Sequence, residues 1–385
     1  MKLTIVTVLA FSAVLAGAET IVDIKGGGAV KKAVAINVAH RAYADCLKRN
    51  LERSGLFVVQ PNASIQVTGG AGAVRVNGAG KALNATTPFS DDVSARMAAR
   101  RLSDQMCETY GNQKGFACDK MVFLNRGKLQ AKGSTVPAEV CIGYPDGYDL
   151  RQLTGDQKMV IYPRWKRDGN SLLFISDMKG APQIWEMNVP TGRRSVKWSF
   201  RGSPTGIAVS PDGSRVAAVL SFQGNPELYV LDMGSGSWTR LTVTPNASEG
   251  QPTWSPDGRK IAYVSNESRY PQIYVIDVAT KAKRRLTSRG RENLDPDWGL
   301  DGRIAYITKR GAAQVAVMDA TQGDASARLV TEPAKWEHPS WSRDGRHLAA
   351  NRDRAVFIID TLEGGDKPVQ MFSANGNWIS PCWQK

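Results

Sequence analysis

The last two thirds of the chain repeat one pattern of apolar and polar positions. It begins as a short strand, Pro252-Thr253-Trp254, and passes through the turn sequence Ser-Pro-Asp-Gly into an alternating apolar strand at 261–264. In such a turn Pro fixes φ, Asp binds its own backbone and Gly accepts a positive φ. A third strand at 272–277 and a fourth at 284–287 complete a four-stranded unit.

This unit recurs with a nearly fixed period. Its Asp-Gly pairs are separated by 44, 45, 44 and 43 residues and stand at Asp168, Asp212, Asp257, Asp301 and Asp344. A period of about 40–45 residues with four short strands is typical of propeller blades. The Trp residues that recur in the first strand predict packing between blades, at Trp165, Trp254, Trp298, Trp341 and Trp383.

The two ends of the repeat region predict a closed ring. Residues 379–383 restate the first strand of the unit, and no second, third or fourth strand follows them in the sequence. Candidates for those three strands precede the first full repeat, at 121–124, 139–143 and 149–154. Joining both ends in one blade would remove an open sheet edge. The fold expected for residues 118–385 is therefore a six-bladed β-propeller closed by the C-terminal strand.

Residues 19–117 lack this period and predict a small N-terminal α/β domain. Strands at 33–38 and 56–59 flank a helix, and a weak hairpin is expected within 61–88. A second helix is expected from an N-cap at Ser90 to about Tyr110, with Gly111 as its stop. Its apolar face would carry Val93, Met97, Leu102 and Met106.

Residues 1–18 have the pattern of an export signal. Met1 and Lys2 precede an apolar run that ends at Leu15, and Ala16-Gly17-Ala18 follows as a small-x-small cleavage pattern. The apolar run is too short to span a membrane as a mature helix. The mature chain is expected to begin near Glu19 and to be exported to the periplasm. Because Ala stands where a lipoprotein would carry Cys, no lipid anchor is expected.

Charge and cysteine content refine this picture. The formal net charge of +14 is compatible with attraction to acidic protein or envelope surfaces, whereas nucleic acid is a poor partner for an exported propeller. The five cysteines are an odd number, so at least one thiol is expected to stay unpaired within the chain. Cys141 and Cys382 should lie two strand spacings apart, about 9–10 Å, which is too far for a disulfide.

Familiar catalytic patterns are absent from the sequence. Only three histidines occur, and no HExxH, GxSxG, phosphate-binding loop or paired CxxC is found. The repeated turn Asp has no second carboxylate at a liganding spacing, so a turn-stabilising role is expected and no metal, cofactor or catalytic residue is predicted. A periplasmic propeller-type hydrolase would need a nucleophile elbow. A polysaccharide lyase would need His, Arg or carboxylates converging on the channel, for which His338 alone is thin support.

Three phrases in the N-terminal region resemble the TolB family of the Tol–Pal envelope system. They are Leu-Glu-Arg-Ser-Gly-Leu-Phe at 51–57, Arg-Leu-Ser-Asp at 101–104, and the segment 111–116 that leads directly into a propeller strand. With the domain order, the resemblance covers essentially the whole mature chain. It implies a monomeric, non-enzymatic adaptor that binds a Pal-like peptidoglycan-associated lipoprotein and a TolA-like inner-membrane protein. It further implies a role in outer-membrane integrity and in envelope constriction at cell division.

The resemblance also implies where these partners bind. The mature N-terminus would add as a strand to TolA through Glu19, Ile21, Val22 and Ile24, although the segment could equally be an ordinary first strand or a frayed tail. Loops that enter the innermost strands of a propeller gather at one mouth of its channel. The Pal site is expected there, at Ser203, Thr205, Glu249, Gln251, Asn293, Trp336, Glu337, His338, Asn377 and Trp378. The two Trp would be anchors, or would simply cover the end of the channel.

Overall fold

An α/β unit forms from the first third of the described chain. The computed structural model describes residues 30–126, 137–200, 202–362, 365, 367–372 and 376–384. The first elements in chain order are β1 (Lys32–Val38), α1 (Arg41–Arg53), β2 (Phe57–Val59), β3 (Ile65–Gly69), β4 (Val74–Gly78), β5 (Lys81–Ala85) and α2 (Asp92–Gly111). The strands form one mixed sheet in the order β2-β1-β3-β4-β5, in which β1 runs parallel to both neighbours. The predicted α/β character is confirmed.

The helices pack on this sheet through apolar faces, and α2 differs in detail from the prediction. Its N-cap is Asp91 and not Ser90, because the Asp91 carboxylate accepts the backbone N–H of Ser94 at 2.8 Å and the Ser94 hydroxyl accepts the Asp91 N–H. The predicted face is also partly wrong, since Val93 is 59% exposed. Leu102 and Met106 are buried as predicted, and Ala95, Ala98 and Ala99 add to the buried face.

Six four-stranded sheets follow. Three strands of the closing blade come first: β6 (Met121–Arg126), β7 (Ala138–Gly143) and β8 (Arg151–Gln152). Blade 1 contains β9 (Val160–Trp165), β10 (Ser171–Ser176), β11 (Gln183–Asn188) and β12 (Arg194–Trp198). Blade 2 contains β13 (Pro204–Val209), β14 (Arg215–Gln223), β15 (Asn225–Asp232) and β16 (Trp238–Arg240). Blade 3 contains β17 (Glu249–Trp254), β18 (Lys260–Ser265), β19 (Gln272–Asp277) and β20 (Lys283–Arg285).

The remaining blades keep the same order of strands. Blade 4 contains β21 (Glu292–Trp298), β22 (Arg303–Lys309), β23 (Ala313–Asp319), a short 3-10 helix (Gly323–Ala325) and β24 (Arg328–Leu329). Blade 5 contains β25 (Trp336–Trp341), β26 (His347–Arg352), β27 (Ala355–Asp360) and β28 (Val369–Gln370). The last strand, β29 (Trp378–Trp383), joins the closing blade in the order β29-β6-β7-β8. Trp383 lies opposite Met121, so the predicted closure by the C-terminal strand is confirmed.

The repeated residues have the structural roles expected of them. Trp341 and Trp383 are almost fully buried, and the indole N–H of Trp254 donates to the Ala208 carbonyl of the preceding blade at 3.1 Å. In the turn of blade 3, the Asp257 carboxylate accepts the Ser255 hydroxyl and the Arg259 N–H. These contacts tie adjacent blades together and fix the turns.

Two further features concern the pairing of the cysteines and the length of the helices. All five cysteines are free thiols, and β6 separates Cys141 on β7 from Cys382 on β29, in the strand order that the sequence predicted. Neither helix within the described ranges is both long and apolar enough to cross a membrane.

The N-terminal unit packs against one end of the propeller. Its Arg53 donates to the Met371 carbonyl at 2.9 Å, and Phe116 lies 4.5 Å from the ring of His347. A fully buried ion pair joins Arg100 of α2 to Asp146, in the loop that connects β7 to β8. Asp146 and His347 lie at the end of the propeller where the innermost strands finish, whereas Met371 follows the outermost strand of blade 5. The opposite end, where those strands begin, we call the upper mouth.

Candidate functional site

The innermost strands of all six blades line a central cavity of about 160 Å³. Its wall is formed by the x-Pro-x-Trp segments of the innermost strands and by their equivalents. Because these strands begin at the upper mouth, the residue before each Pro lies nearer to that mouth than the Trp does. Charged and polar wall residues include Arg164, Asp295, Asp297 and His338. Within the described residues, no group of three or more His, Cys, Asp or Glu side chains is arranged to hold a metal ion.

Five blades place an unusual backbone conformation at the same position of this wall. The non-glycine residue that precedes Pro has a φ of 50–51° at Tyr162, Gln251, Asp295, His338 and Ser380. In each of these blades the register of the innermost strand also shifts, which marks a β-bulge. A left-handed conformation costs about 1–2 kcal/mol per non-glycine residue. Strain repeated in five blades is the kind of feature that clusters at binding sites.

Hydrogen bonds between blades hold these strained residues in place. The backbone N–H of Asp295 donates to Gln251 Oε1 at 2.9 Å, and the N–H of His338 donates to Asp295 Oδ2 at 3.1 Å. The N–H of Ser380 donates to the buried Asn351 Oδ1 at 3.2 Å. Side chains of the preceding blade thus satisfy three of the five left-handed N–H groups, which fixes this part of the wall.

Tyr162 is the blade 1 member of the five left-handed residues, which we call the polar ring: Tyr162, Gln251, Asp295, His338 and Ser380. Burial, reinforced by the nearby Asp295 carboxylate, raises the pKa of the Tyr162 hydroxyl to about 12. The hydroxyl therefore stays neutral at physiological pH and keeps its proton for hydrogen bonding.

The structure distributes the ten predicted Pal-site residues between surface and core. Three are exposed: Ser203, Thr205 and Glu337. Three are partly buried: Gln251, His338 and Asn377. Four are buried: Glu249, Asn293, Trp336 and Trp378. All ten lie at or just before the start of an innermost strand, so the structure brings them to the same end of the propeller.

The buried members hold the strands and loops of the upper mouth. Trp336 is 2% exposed and donates its indole N–H to the Glu332 carbonyl at 3.0 Å. Trp378 is 5% exposed and packs edge-on against the rings of Phe123 and Phe372. Neither Trp presents a free face to solvent, so both cover the end of the core.

The two buried polar members are bonded to the preceding blade or to the loop that leads from it. Glu249 accepts the Thr244 hydroxyl at 2.7 Å, and its burial raises the pKa of that carboxyl group. The Asn293 amide donates to Gln272 Oε1 and to the Arg289 carbonyl, at 2.8 Å each.

The sequence analysis missed three members of the polar ring. Tyr162, Asp295 and Ser380 occupy the position of Gln251 and His338 in their own blades, immediately before Pro. Alignment on that Pro would have found them. Of the predicted TolA-site residues, Glu19, Ile21, Val22 and Ile24 lie outside the described residues.

Comparisons with known proteins place this architecture among relatives. The crystal structure of TolB from Acinetobacter baumannii matches with a TM-score of 0.78 and 21% identity, covering 94% of this chain and 98% of that one. A structure of a nidogen/laminin complex matches with a TM-score of 0.55 at 11% identity, covering 69% of this chain and 98% of that one. At these identities the likenesses show the shared propeller fold.

Sequence comparison gives a more specific relationship. The Tol-Pal system protein TolB of Anaeromyxobacter dehalogenans strain 2CP-1 is 29% identical over 164 residues, which cover 43% of this chain and 36% of that protein. The protein of the same name from Anaeromyxobacter sp. strain K is also 29% identical over 164 residues, with the same coverage. The chain thus spans about a third of the length of these curated relatives. The family model of the TolB β-propeller domain matches residues 108–385, well over half of the chain. The chain belongs to the TolB β-propeller domain family.

Proposed function

We propose that the chain is a periplasmic adaptor of the Tol–Pal envelope system. It would bind a Pal-like lipoprotein and a TolA-like inner-membrane protein, and so support outer-membrane integrity and envelope constriction at cell division. The observation that carries the proposal is the family match over the whole propeller, together with relatives named as Tol-Pal system proteins. The export pattern of residues 1–18 supports a periplasmic location.

The upper mouth is the surface that we assign to the lipoprotein. Arg100 and Phe116 of the N-terminal unit contact Asp146 and His347 at the opposite end of the propeller. Ser203, Thr205 and Glu337 are exposed at the upper mouth. The strained polar ring beneath them is held by hydrogen bonds between blades, so little ordering entropy is lost on binding. Glu249, Asn293, Trp336 and Trp378 would act by holding the mouth in shape.

The mature N-terminus is the segment that we assign to TolA. In this proposal residues 1–18 are a signal peptide, 19–117 form the N-terminal domain and 118–385 form the propeller. The segment with Glu19, Ile21, Val22 and Ile24 alternates in polarity, as an added edge strand requires. Backbone hydrogen bonds would supply affinity, and the apolar side chains would supply specificity.

The enzymatic alternatives gain no support from the placement of the described histidines. His338 Nδ1 lies 3.3 Å from the amide oxygen of Asn351, and no carboxylate orients that ring nitrogen. His347 is buried against Asp344 within a turn, away from the polar ring. Neither is positioned as a general base in the channel.

The two proposed contacts should be separable by mutation. Ser203→Trp with Thr205→Trp places two bulky uncharged side chains on the exposed rim of the mouth and should weaken lipoprotein binding by about 2 kcal/mol or more, while TolA binding persists. Deletion of residues 19–24 should have the reverse effect: TolA binding is lost, and lipoprotein binding and the melting temperature stay nearly unchanged. Isothermal titration calorimetry with each soluble partner domain measures both affinities.

The matched control places the same substitutions elsewhere on the propeller. Ser195→Trp with Thr239→Trp changes exposed residues on the outermost strands of blades 1 and 2 and should leave both affinities unchanged. Parental lipoprotein affinity in the mouth variant would place that site elsewhere. Parental TolA affinity in the deletion variant would exclude the N-terminal strand.

A further inference from the structure

Blades 3 and 4 present a group of arginines beside the upper mouth. Arg269 and Tyr270 lie in the loop between β18 and β19, Arg289 and Arg291 lie in the loop before β21, and Arg310 follows β22. All five side chains are exposed, and Tyr270 is 39% exposed. We call these five residues the arginine surface.

The arginine surface is ordered by contacts with its own tyrosine and with the mouth. The guanidinium carbons of Arg269 and Arg291 each lie 5.6 Å from the centre of the Tyr270 ring, within the range of cation–π attraction. The Asn293 amide donates to the Arg289 carbonyl, and the Arg291 N–H donates to the Lys309 carbonyl at 2.9 Å. Because Asn293 belongs to the upper mouth, the two surfaces are continuous.

The arginine charges are not neutralised within the described part of the chain. None of the four guanidinium groups forms an ion pair there. Two neighbouring carboxylates are engaged by lysines, Glu267 by Lys283 and Glu292 by Lys309. A third, Asp324, accepts the backbone N–H groups of Ser288 and Arg289.

We propose that the arginine surface docks a carboxylate-rich segment of the protein that binds the upper mouth. The inference rests on the proposed function, because it assigns the chemistry of the same partner. Guanidinium groups form paired hydrogen bonds with carboxylates, and Arg and Tyr are the residue types enriched in protein interfaces. An anionic membrane would favour basic residues mixed with several exposed Trp, Phe or Leu, whereas here the exposed large ring is Tyr270.

The arginine surface should act mainly on the rate of association. Charges on the rim of an interface steer a partner of opposite charge during encounter, and salt screens that attraction over about 8–10 Å. Arg269→Gln with Arg291→Gln should therefore slow association with the soluble lipoprotein about tenfold at low salt and flatten its salt dependence. Arg269→Lys with Arg291→Lys keeps the charge and should retain most of the rate.

The test measures the association rate by stopped flow or surface plasmon resonance. The salt concentration is varied from about 20 to about 500 mM, a range over which charge screening goes from weak to strong. The control variant, Arg193→Gln with Lys281→Gln, removes two exposed cations from turns at the opposite end of the propeller and should match the parent. A hexaglutamate peptide and phosphatidylglycerol vesicles serve as two further probes.

The outcomes separate this inference from the proposed function. Parental rate and salt dependence in the double Gln variant, with lipoprotein still bound, would overturn the arginine surface and leave the adaptor proposal intact. Loss of vesicle binding in that variant, with lipoprotein association unchanged, would overturn it in favour of a membrane contact. If the lipoprotein does not bind the parent at all, the proposed function fails. Binding of hexaglutamate to the parent and not to the variant would then still support the surface.

Discussion

Replacement of Trp383 by alanine is expected to lower the free energy of unfolding by about 3–5 kcal/mol. Trp383 is 1% exposed, and its ring packs edge-on against Phe116, 5.7 Å away. Its backbone N–H donates to the Ser340 hydroxyl of the preceding blade at 3.2 Å. The side chain thus stabilises the ring closure and the junction with the N-terminal unit together. Urea denaturation followed by tryptophan fluorescence and circular dichroism gives the change.

The matched control is Trp238→Ala, which removes a partly buried Trp from the outermost strand of blade 2. It should cost less than half as much, because little of its surface is removed from water relative to Trp383. Truncation after Pro368 goes further and removes both β28 and β29, which exposes the edges of β27 and β6. A truncated chain that stayed monomeric and unfolded cooperatively would contradict closure by the C-terminal strand.

Replacement of Arg100 by alanine should cost about 3–5 kcal/mol, because it leaves a buried charge without its partner. Arg100 and Asp146 are both fully buried, with Nε–Oδ2 and Nη2–Oδ1 distances of 2.7 and 3.0 Å. The pair joins α2 to the propeller, so its loss should loosen the junction. Arg101→Ala, an exposed change on the same helix, is the matched control and should be nearly neutral. Adding Asp146→Asn to Arg100→Ala should recover part of the loss.

The same pair predicts how stability depends on pH. Burial alone would raise the pKa of Asp146, but hydrogen bonds and charge from Arg100, with a hydrogen bond from Asn50, hold it below its usual range. A depressed folded-state pKa means that the stabilisation is present above about pH 4 and is lost as the pH falls through that pKa. Equal unfolding free energies for Arg100→Ala and parent at pH 7 would contradict this account.

The repeat register made the propeller predictable from sequence. The Asp-Gly turns fix where each blade begins, and the Trp of 379–383 can pair only with strands from the other end of the ring. Local detail was harder, since Ser90 and Asp91 are both good N-caps. The decision depends on Ser94, which completes the capping box with Asp91. That signal, three residues further along, was available in the sequence.

The candidate site was predictable in location and much less so in exposure. Trp336 and Trp378 stand where an aromatic anchor would be expected, yet ring contacts on other strands and loops help to bury them. Phe357 on β27 packs on Trp336, and Phe123 on β6 and Phe372 pack on Trp378. Sequence spacing carries no information about such neighbours. The polar ring likewise cannot be predicted from residue type, because its five positions hold five different residue types.

Hydrogen–deuterium exchange with and without the soluble lipoprotein tests the central claim most directly. If the upper mouth is the binding surface, saturating lipoprotein should slow exchange in the loops at 286–292 and 331–336, which lead into β21 and β25. Exchange in the turns at 255–259 and 299–303, at the opposite end of the propeller, should not change. Slowed exchange confined to those turns, or no change anywhere at saturation, would contradict the account.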